Sequence, residues 1–297
     1  MKTRPFKQVD VFTAVPTLGN PLAVVLDGSG LSAQQMQQFT DWTNLSEATF
    51  LLPPTPEAAA AGADYRVRIF CPGRELPFAG HPTLGSCHAW LQAGGQPRGE
   101  YIVQECGVGL VRLRRNAGRL AFAAPPLRKS GPLPEADVAL IARGLGVARS
   151  DIAAHAWCDN GPGWHAVMLR SAKQVLALQP DGAVLAGLDI GVVGPAEPGP
   201  APRGKVGVVA PSTQEDIAFE VRAFFPGRYG LAEDPVTGSL NAALAQWLIG
   251  VGLAPAQYVA SQGTALGRAG RVHVQQEGDV IWIGGNSVTC IDGVVHL

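Results

Sequence analysis

The turn EDPVTGS, residues 233–239, connects a run typical of a β-strand, IAFEVRAFFPG, to a run typical of a helix, LNAALAQWLIG. The helix sequence is apolar nearly all round, which predicts a helix buried in the centre of the fold. Asp234 precedes a proline, which favours an extended conformation, and Gly238 lets a ligand approach the backbone closely. Thr237 and Ser239 add hydroxyl groups. A helix cap uses the same residue types, so this turn alone is compatible with either a cap or half of a binding site.

A second turn of the same kind precedes the helix sequence TLGSCHAWLQA in the first half of the chain. There the motif GHPT places Gly80, His81, Pro82 and Thr83 at the start of the helix. A helix N-terminus presents unpaired N–H groups and the positive end of the helix dipole, so it can bind a carboxylate. If the two halves face each other, two helix N-termini meet at one cleft, which suits a small anionic substrate.

Glu47, in NLSEATF, is a candidate for proton transfer. Leu45, Ala48 and Phe50 surround its carboxyl group with apolar side chains. Loss of solvation would raise the pKa of Glu47 towards neutrality, as a general acid or base requires. An exposed glutamate at a helix end is the alternative interpretation of the same pattern.

Two stretches rich in glycine and amide side chains add binding candidates. Asn20 lies in the tight turn of LGNPLAVV, and Gln262, Gly263 and Arg268 lie in SQGTALGR ahead of a strand. A guanidinium group can pair with a substrate carboxylate. Turn chemistry at Asn20 and a solvated side chain at Arg268 are the alternatives.

Composition excludes several classes of partner. With 23 basic and 24 acidic residues the net charge is −1, which gives no reason to expect nucleic acid or an anionic membrane. The apolar runs are too short to span a bilayer, and the N-terminal sequence lacks the apolar core of a secretion signal. We therefore expect a cytoplasmic protein that acts on a small molecule.

The motifs that are missing favour chemistry without a cofactor or metal. The sequence contains no GxxxxGK[ST], HExxH or GxSxG motif, and no GxGxxG follows a first strand. The five cysteines are an odd number, are scattered and include no CxxC pair, which predicts neither a disulfide framework nor a zinc site. The kind of catalysis that these missing motifs leave open is acid–base catalysis by side chains.

The chain is organised as two halves in which strands outnumber helices. SAQQMQQFTDWTN is a predicted helix with Ser32 as its N-cap. Prolines and charges in APPLRKSGPLPE, residues 124–135, mark a boundary, and GPAEPGPAPRGK, residues 194–205, is a predicted surface loop. Each half runs from strands through a tight polar turn to an apolar helix ending in Trp-Leu, which hints at a duplication.

Five motifs together resemble the PhzF family, the phenazine-biosynthesis isomerase-like proteins. They are GNPLAVV, NLSEATF, ELPFAGHPTLG, RAFFPG followed by EDPVTGSLNAALAQWL, and SQGTALGR, and they occur in the family's order. The resemblance implies an α+β fold like that of diaminopimelate epimerase, with two similar halves, each a curved, mostly antiparallel sheet wrapped round a central helix. The halves would be residues 1–126 and 127–287, with a final strand, 288–297, returning to the first half.

The same resemblance implies a cofactor-independent isomerase that moves a proton within a small, cyclic or aromatic-precursor carboxylate. Glu47 would be the acid and base, and His81 and Asp234 would complete the catalytic group by orienting the substrate. Residues Gly80, Gly238 and Ser239 would hold the carboxylate. The resemblance also implies a homodimer.

Two other functions stay open at this point. An amino-acid racemase or epimerase of this fold uses a cysteine at each of the two helix starts, and neither AGHPT nor DPVTGS contains one. The second alternative is a non-catalytic protein that binds a small molecule. Trp164, His165 and Tyr229 are predicted to lie near the mouth of the cleft, where they would favour an aromatic or cyclic ligand.

Overall fold

The computed structural model describes residues 1–116, 118–196, 216–227 and 229–297. The predicted loop 194–205 lies outside the described residues from 197 onward, and its first two residues belong to a strand. The helices of the described residues are α1 (Ala33–Thr43), α2 (Pro56–Ala60), α3 (Gly80–Gln92), α4 (Glu135–Leu145), α5 (Ala172–Ala177) and α6 (Gly238–Gly250).

The strands fall into two sets and a final strand. The first set is β1 (Thr3–Val11), β2 (Asn20–Val25), β3 (Ala48–Leu52), β4 (Tyr65–Cys71), β5 (Arg74–Leu76), β6 (Ile102–Cys106), β7 (Gly109–Asn116) and β8 (Arg119–Ala123). The second set is β9 (Ile152–Cys158), β10 (Trp164–Leu169), β11 (Ile190–Pro195), β12 (Ile217–Gly227), β13 (Gly230–Asp234), β14 (Gln257–Gln262), β15 (Gly270–Glu277) and β16 (Val280–Gly285). The final strand is β17 (Ser287–His296).

The two sets of strands repeat one topology. In the first half, β1 pairs with β2, β2 runs parallel to β3, β3 pairs with β4, and β4 pairs with both β5 and β6 before β7 and β8 follow. In the second half, β9 to β16 repeat the same sequence of parallel and antiparallel pairings. The central helices α3 and α6 occupy the same place in this order, directly after β5 and β13.

Two pairings connect the halves into one continuous sheet. Strand β8 pairs with β16, and the final strand β17 pairs with β1 at the start of the chain. The N-terminal half therefore contains a strand from the C-terminal end of the sequence. The exact division at residues 126 and 127 stays a prediction.

Each half-sheet wraps round its central helix. Helix α3 contacts β1, β2 and β3 from one end of its half-sheet and β8 from the other end. Helix α6 contacts β9, β15 and β16 in the equivalent way. Leu84 of α3 and Leu240 of α6 are fully buried in one shared apolar core, which accounts for the nearly all-round apolar sequences of both helices.

The structure contains helices that the sequence analysis did not predict. Ser32 caps α1 as predicted, by accepting a hydrogen bond from the N–H of Gln35. Helix α4 starts at the end of the predicted boundary, residues 124–135, and buries Val138, Ile141 and Leu145, so the boundary prediction was incomplete. The short helices α2 and α5 were missed as well.

Candidate active site

Glu47 lies directly before β3, at the point where the chain returns to the sheet from α1. Its side chain is 16% exposed, and the Oε2 atom is buried. His81, the second residue of α3, is the nearest polar group: its Nε2 atom lies 3.2 Å from Oε2 of Glu47. The two groups form no hydrogen bond, and neither atom has a hydrogen-bond partner among the described residues. A polar group of a substrate that approaches both atoms from one side can satisfy them.

The proton on His81 can be assigned from its other ring nitrogen. The Nδ2 atom of Asn20 lies 3.3 Å from Nδ1 of His81. An amide NH₂ group cannot accept, so an Nδ1–H group facing it would be repelled, and we assign the proton of the neutral imidazole to Nε2. Burial lowers the pKa of His81 to about 3, so the ring is neutral at physiological pH. The Nε2–H group therefore faces Glu47.

Asn20 connects the first half to the turn of the second half. Its Nδ2 atom donates to Oδ1 of Asp234 over 2.7 Å and to the carbonyl of Val236 over 2.9 Å. Asn20 is fully buried as the first residue of β2. The other carboxyl oxygen of Asp234 accepts a hydrogen bond of 2.7 Å from the hydroxyl of Thr237. Each carboxyl oxygen of Asp234 therefore accepts a hydrogen bond, one from Asn20 of the first half and one from Thr237 of the second half.

Gln262 holds the DPVTGS turn from behind. Its Oε1 atom accepts from the backbone N–H of Thr237 over 3.0 Å and from the amide of Asn241 over 2.8 Å. Its Nε2 atom donates to the hydroxyl of Thr237 over 2.9 Å and to the carbonyl of Asp234 over 3.1 Å. Gln262 is fully buried, so it acts on the site by fixing the turn and does not itself face a substrate.

The starts of α3 and α6 meet backbone to backbone at Gly80 and Gly238. A Cβ atom built on Gly80 would lie 2.7 Å from the Cα atom of Gly238, and one on Gly238 would lie 2.8 Å from the Cα atom of Gly80. Only glycine fits at either position. Neither helix has a side-chain cap at its N-terminus. Among the described residues, the two positive helix ends therefore meet without side-chain caps, an arrangement that a bound anion would stabilise.

Burial and charge raise the pKa values of both carboxyl groups in the site. Desolvation raises the pKa of Glu47 well above its ordinary value, and the negative charge of Asp234 raises it further. Desolvation also raises the pKa of Asp234, to about 6, although the hydrogen bonds from Thr237 and Asn20 oppose this effect. A carboxyl group that titrates close to neutral pH is suited to acid–base catalysis.

Other predicted site residues face away from Glu47. The hydroxyl of Thr83 accepts a hydrogen bond of 3.1 Å from Gln104, in the interior of the first half. Pro82 is buried next to it. Arg268 donates to the carbonyl of Thr17 over 2.7 Å, and Gly263 has a φ of 91° in the turn that precedes this arginine.

The three residues predicted to lie near the mouth of the cleft have different surroundings. Trp164 is 4% exposed and its indole N–H reaches the hydroxyl of Ser239 over 3.3 Å. His165 packs against Trp157, with the ring centroids 4.1 Å apart. Tyr229 is 92% exposed. Trp164 therefore contacts a predicted site residue, Ser239.

Sequence reasoning missed residues that support the site from the interior. Asn241 bonds to Gln262, and Asn160 donates to the carbonyl of Ser239 over 2.8 Å. Asn241 occupies the position in α6 that Thr83 occupies in α3, because each is the fourth residue of its helix. For Asn241 the available signal was a polar residue on an otherwise apolar helix, since such a residue needs a buried partner.

The structure adds two observations about ligands and membranes. Over the described ranges, no group of three or more His, Cys, Asp and Glu side chains is placed to hold a metal ion. In the same part of the chain, no helix is both long enough and apolar enough to cross a bilayer.

Comparison with known proteins decides the family. The model of the family described as phenazine biosynthesis-like protein, PhzC-PhzF, matches residues 9–293. The chain belongs to the PhzF family. This family is enzymatic, so the expectation that the chain is an enzyme is confirmed.

Three PhzF-family comparisons cover almost the whole chain. Antisense-enhancing sequence 1 of Schizosaccharomyces pombe is 34% identical, with 99% of each chain covered. The trans-2,3-dihydro-3-hydroxyanthranilate isomerase of Pseudomonas aeruginosa is 30% identical, covering 97% of this chain and 98% of that protein. The solved PhzF-family structure from Bacillus anthracis covers 100% of each chain with a TM-score of 0.79 and 21% identity. The predicted α+β fold of two similar halves is therefore confirmed.

Proposed function

We propose that this PhzF-family enzyme is an isomerase that moves a proton between two carbons of a small cyclic carboxylate without a cofactor. The observation that carries the proposal is the pair formed by Glu47 and His81. A desolvated carboxyl group and a neutral imidazole face each other over 3.2 Å with unsatisfied polar atoms. The pair lies beside two converging helix N-termini.

Glu47 supplies the acid and the base in this proposal. As a carboxylate it removes a proton from one carbon, and the electron pair of the broken C–H bond moves into the adjacent π-system. The resulting carboxylic acid then returns the proton to a second carbon, where a new C–H bond forms. The raised pKa of Glu47 supports both steps, because base and acid forms are then closer in free energy at neutral pH.

The substrate carboxylate would bind at the starts of α3 and α6. The backbone N–H groups near Gly80, Gly238 and Ser239 would hold it, because both helix dipoles favour a negative charge at the helix starts. Binding the carboxylate at this point fixes the substrate ring relative to Glu47. Such positioning is a large part of what an enzyme contributes to a proton transfer.

His81 and Asp234 would orient the polar substituents of the ring. The Nε2–H group of His81 is a donor without a partner in the described chain. Asp234 is an acceptor held rigidly by Asn20 and Thr237. A ring substituent that both accepts and donates, such as a hydroxyl or an amine, matches these two groups.

The similar enzyme from Pseudomonas aeruginosa is named for trans-2,3-dihydro-3-hydroxyanthranilate, a cyclic carboxylate with an amine and a hydroxyl group. We extend to this chain the substrate class, which is a small cyclic carboxylate with polar substituents. We also keep the expectation of a cytoplasmic homodimer as part of the proposal. Light scattering coupled to size-exclusion chromatography would measure the mass of the assembly.

Replacement of Glu47 by glutamine tests the proposed function. We expect the isomerisation of trans-2,3-dihydro-3-hydroxyanthranilate, followed by NMR in D₂O, to slow by at least about 10²-fold, a typical acid–base contribution. Glu57→Gln is the matched control, because Glu57 is exposed on α2. Turnover of E47Q close to that of the wild type would remove Glu47 from the mechanism. If the wild type moves no proton in a panel of cyclic carboxylates, the non-catalytic binding function takes precedence.

A further inference from the structure

Ser239 is held by two side chains that come from one turn of the second half. The turn, residues 159–163, precedes β10 and is closed by Asp159, whose Oδ1 atom accepts from the N–H groups of Gly161 and Gly163. Asn160 donates to the backbone carbonyl of Ser239 over 2.8 Å. Trp164, directly after the turn, donates from Nε1 to the hydroxyl oxygen of Ser239 over 3.3 Å. Both the backbone and the side chain of Ser239 are therefore fixed.

The indole determines how the hydroxyl of Ser239 can bond. An indole N–H group is a donor and never an acceptor, so the Ser239 oxygen must accept from Trp164. The hydroxyl proton is then available for another acceptor. Within the described chain, Ser239 has no other side-chain hydrogen bond that could take this proton. The hydroxyl lies at the second position of α6, next to the unpaired N–H groups of the helix start.

A second observation indicates that a ligand completes this region. Asn160 is 8% exposed, and its Oδ1 atom is buried without a hydrogen-bond partner in the described part of the chain. Buried acceptors of this kind are normally satisfied. A substrate with a donor next to its carboxylate would satisfy Asn160 while the carboxylate accepts from Ser239.

We propose that Trp164 is a positioning residue that sets the hydroxyl of Ser239 as a hydrogen-bond donor to the substrate carboxylate. This inference rests on the proposed function only for the chemical class of the ligand. Trp164 acts through Ser239 and does not take part in proton transfer. Its loss should weaken recognition of the carboxylate specifically and leave the rest of the ligand's affinity unchanged.

Two probes separate the carboxylate from the rest of the ligand. The first is 3-hydroxyanthranilate, the aromatic counterpart of the substrate for which the Pseudomonas enzyme is named, and the second is 2-aminophenol, the same ring without the carboxylate. The ratio of their Kd values, measured by calorimetry, reports the carboxylate alone. For the wild type we expect a ratio of about ten- to hundredfold, as for hydrogen bonds to a charged group.

The variants Trp164→Phe, Ser239→Ala and their combination complete a double-mutant cycle. We expect the ratio to fall by about tenfold in S239A and by about three- to tenfold in W164F, and the double variant to match S239A, because residues in contact are not additive. Trp282→Phe is the matched control, since Trp282 is also 4% exposed in the second half and its partners are Tyr101 and Arg114. Its ratio should equal that of the wild type.

Several results would overturn the inference. If W164F weakens both probes equally, Trp164 has only a structural role. If the losses in W164F and S239A multiply, the two residues act independently, and if the wild-type ratio is close to one, no carboxylate is recognised there. The isomerase proposal is judged separately by the dependence of proton movement on Glu47. A protein that shows the expected ratios without catalysis would retain the inference and lose the proposed activity.

Discussion

The Nε2 atom of His81 lies 3.2 Å from the Oε2 atom of Glu47, yet the two groups form no hydrogen bond. On the other side of the imidazole, the Nδ2 atom of Asn20 lies 3.3 Å from Nδ1 and also donates to Oδ1 of Asp234. One amide therefore connects the neutral imidazole of the first half to a carboxyl group of the second half. Glu47 and Asp234 also influence each other through charge.

The first prediction concerns the pH dependence of proton transfer. The proposed mechanism requires ionised Glu47, so the rate should rise as the pH passes upward through the raised pKa of this residue. The charge of Asp234 is a secondary cause of that raised pKa, after desolvation. In Asp234→Asn we therefore expect the acid limb of kcat/KM to move to lower pH, in addition to a lower rate.

The comparison requires a variant that changes net charge elsewhere. Asp279→Asn removes the same charge from the exposed turn between β15 and β16, and its acid limb should match that of the wild type. Where D234N turns over too slowly, carbon NMR of labelled Glu47 gives the pKa directly. An unchanged Glu47 pKa in D234N would contradict the coupling.

The central helices and both polar turns were predictable from the sequence, because their signals are local. Periodic apolar residues indicate a buried helix, and Gly, Thr and Ser before it indicate an exposed helix start. The direction of individual side chains was not predictable. Thr83 bonds to Gln104, and Arg268 bonds to Thr17, since distant strands provide partners for them.

Helix α4 shows a signal that was present and not used. Glu135 and Asp137 lie in its first turn, and Gly146 ends it in the left-handed conformation with a φ of 69°. The prolines before α4 instead led to the prediction of a domain boundary. By contrast, Ser239 is supported by two residues that are distant in the sequence. Trp164 precedes it by 75 positions and Asn160 by 79 positions, and no local pattern encodes contacts of this kind.

The second prediction concerns the contact between the two helix starts. In Gly80→Ala the new methyl group would meet the backbone of Gly238 at 2.7 Å, so the two turns must separate. We expect a loss of about 1–3 kcal/mol in the free energy of unfolding, as for other overpacked sites. The proton-transfer rate should fall as well, because we propose that both turns bind the same carboxylate.

Gly250→Ala provides the control for this change. Gly250 is the last residue of α6, and a Cβ atom there has nothing within 4 Å. Because alanine is a better helix former than glycine, we expect G250A to be neutral or up to about 1 kcal/mol more stable. Urea unfolding measures both variants, and equal stabilities of G80A and G250A would contradict the close approach of the helices.

The third prediction addresses the racemase alternative through its cysteines. Cys71, the last residue of β4, is partly exposed, but burial raises the pKa of its thiol and the charge of Glu47 raises it further. Cys87 is fully buried in α3, and burial raises its pKa to about 12. A thiol with a raised pKa is a poor source of thiolate.

We therefore expect Cys71→Ala to retain the full rate of Glu47-dependent proton transfer. Exposed Cys290 supplies the control variant, Cys290→Ala. The decisive assay follows deuterium incorporation at the α-carbon of a panel of amino acids. Exchange that is present in the wild type and absent in C71A, but not in C290A, would establish thiol catalysis and displace the isomerase proposal.

The fourth prediction concerns the ion pair next to Asp234. Arg222 binds both oxygens of Glu233, at 2.9 and 2.7 Å, and also donates to the carbonyls of Val175 and Leu178. The two charged side chains are only 7% and 12% exposed. Because Arg222→Met leaves a buried carboxylate without its partner, we expect a loss of about 3–5 kcal/mol in the free energy of unfolding.

The exposed pair of Arg149 and Glu135, with side chains 40% and 67% exposed, gives the matched comparison. Arg149→Met should cost no more than about 1 kcal/mol, because water screens that pair. A second test removes both buried charges: Arg222→Met with Glu233→Leu should recover much of the lost stability, since no unpaired charge remains. If R222M and R149M lower the free energy of unfolding equally, burial does not determine how much these ion pairs contribute to stability. If the double variant also restores proton transfer, the ion pair serves the site only by holding Asp234 in place.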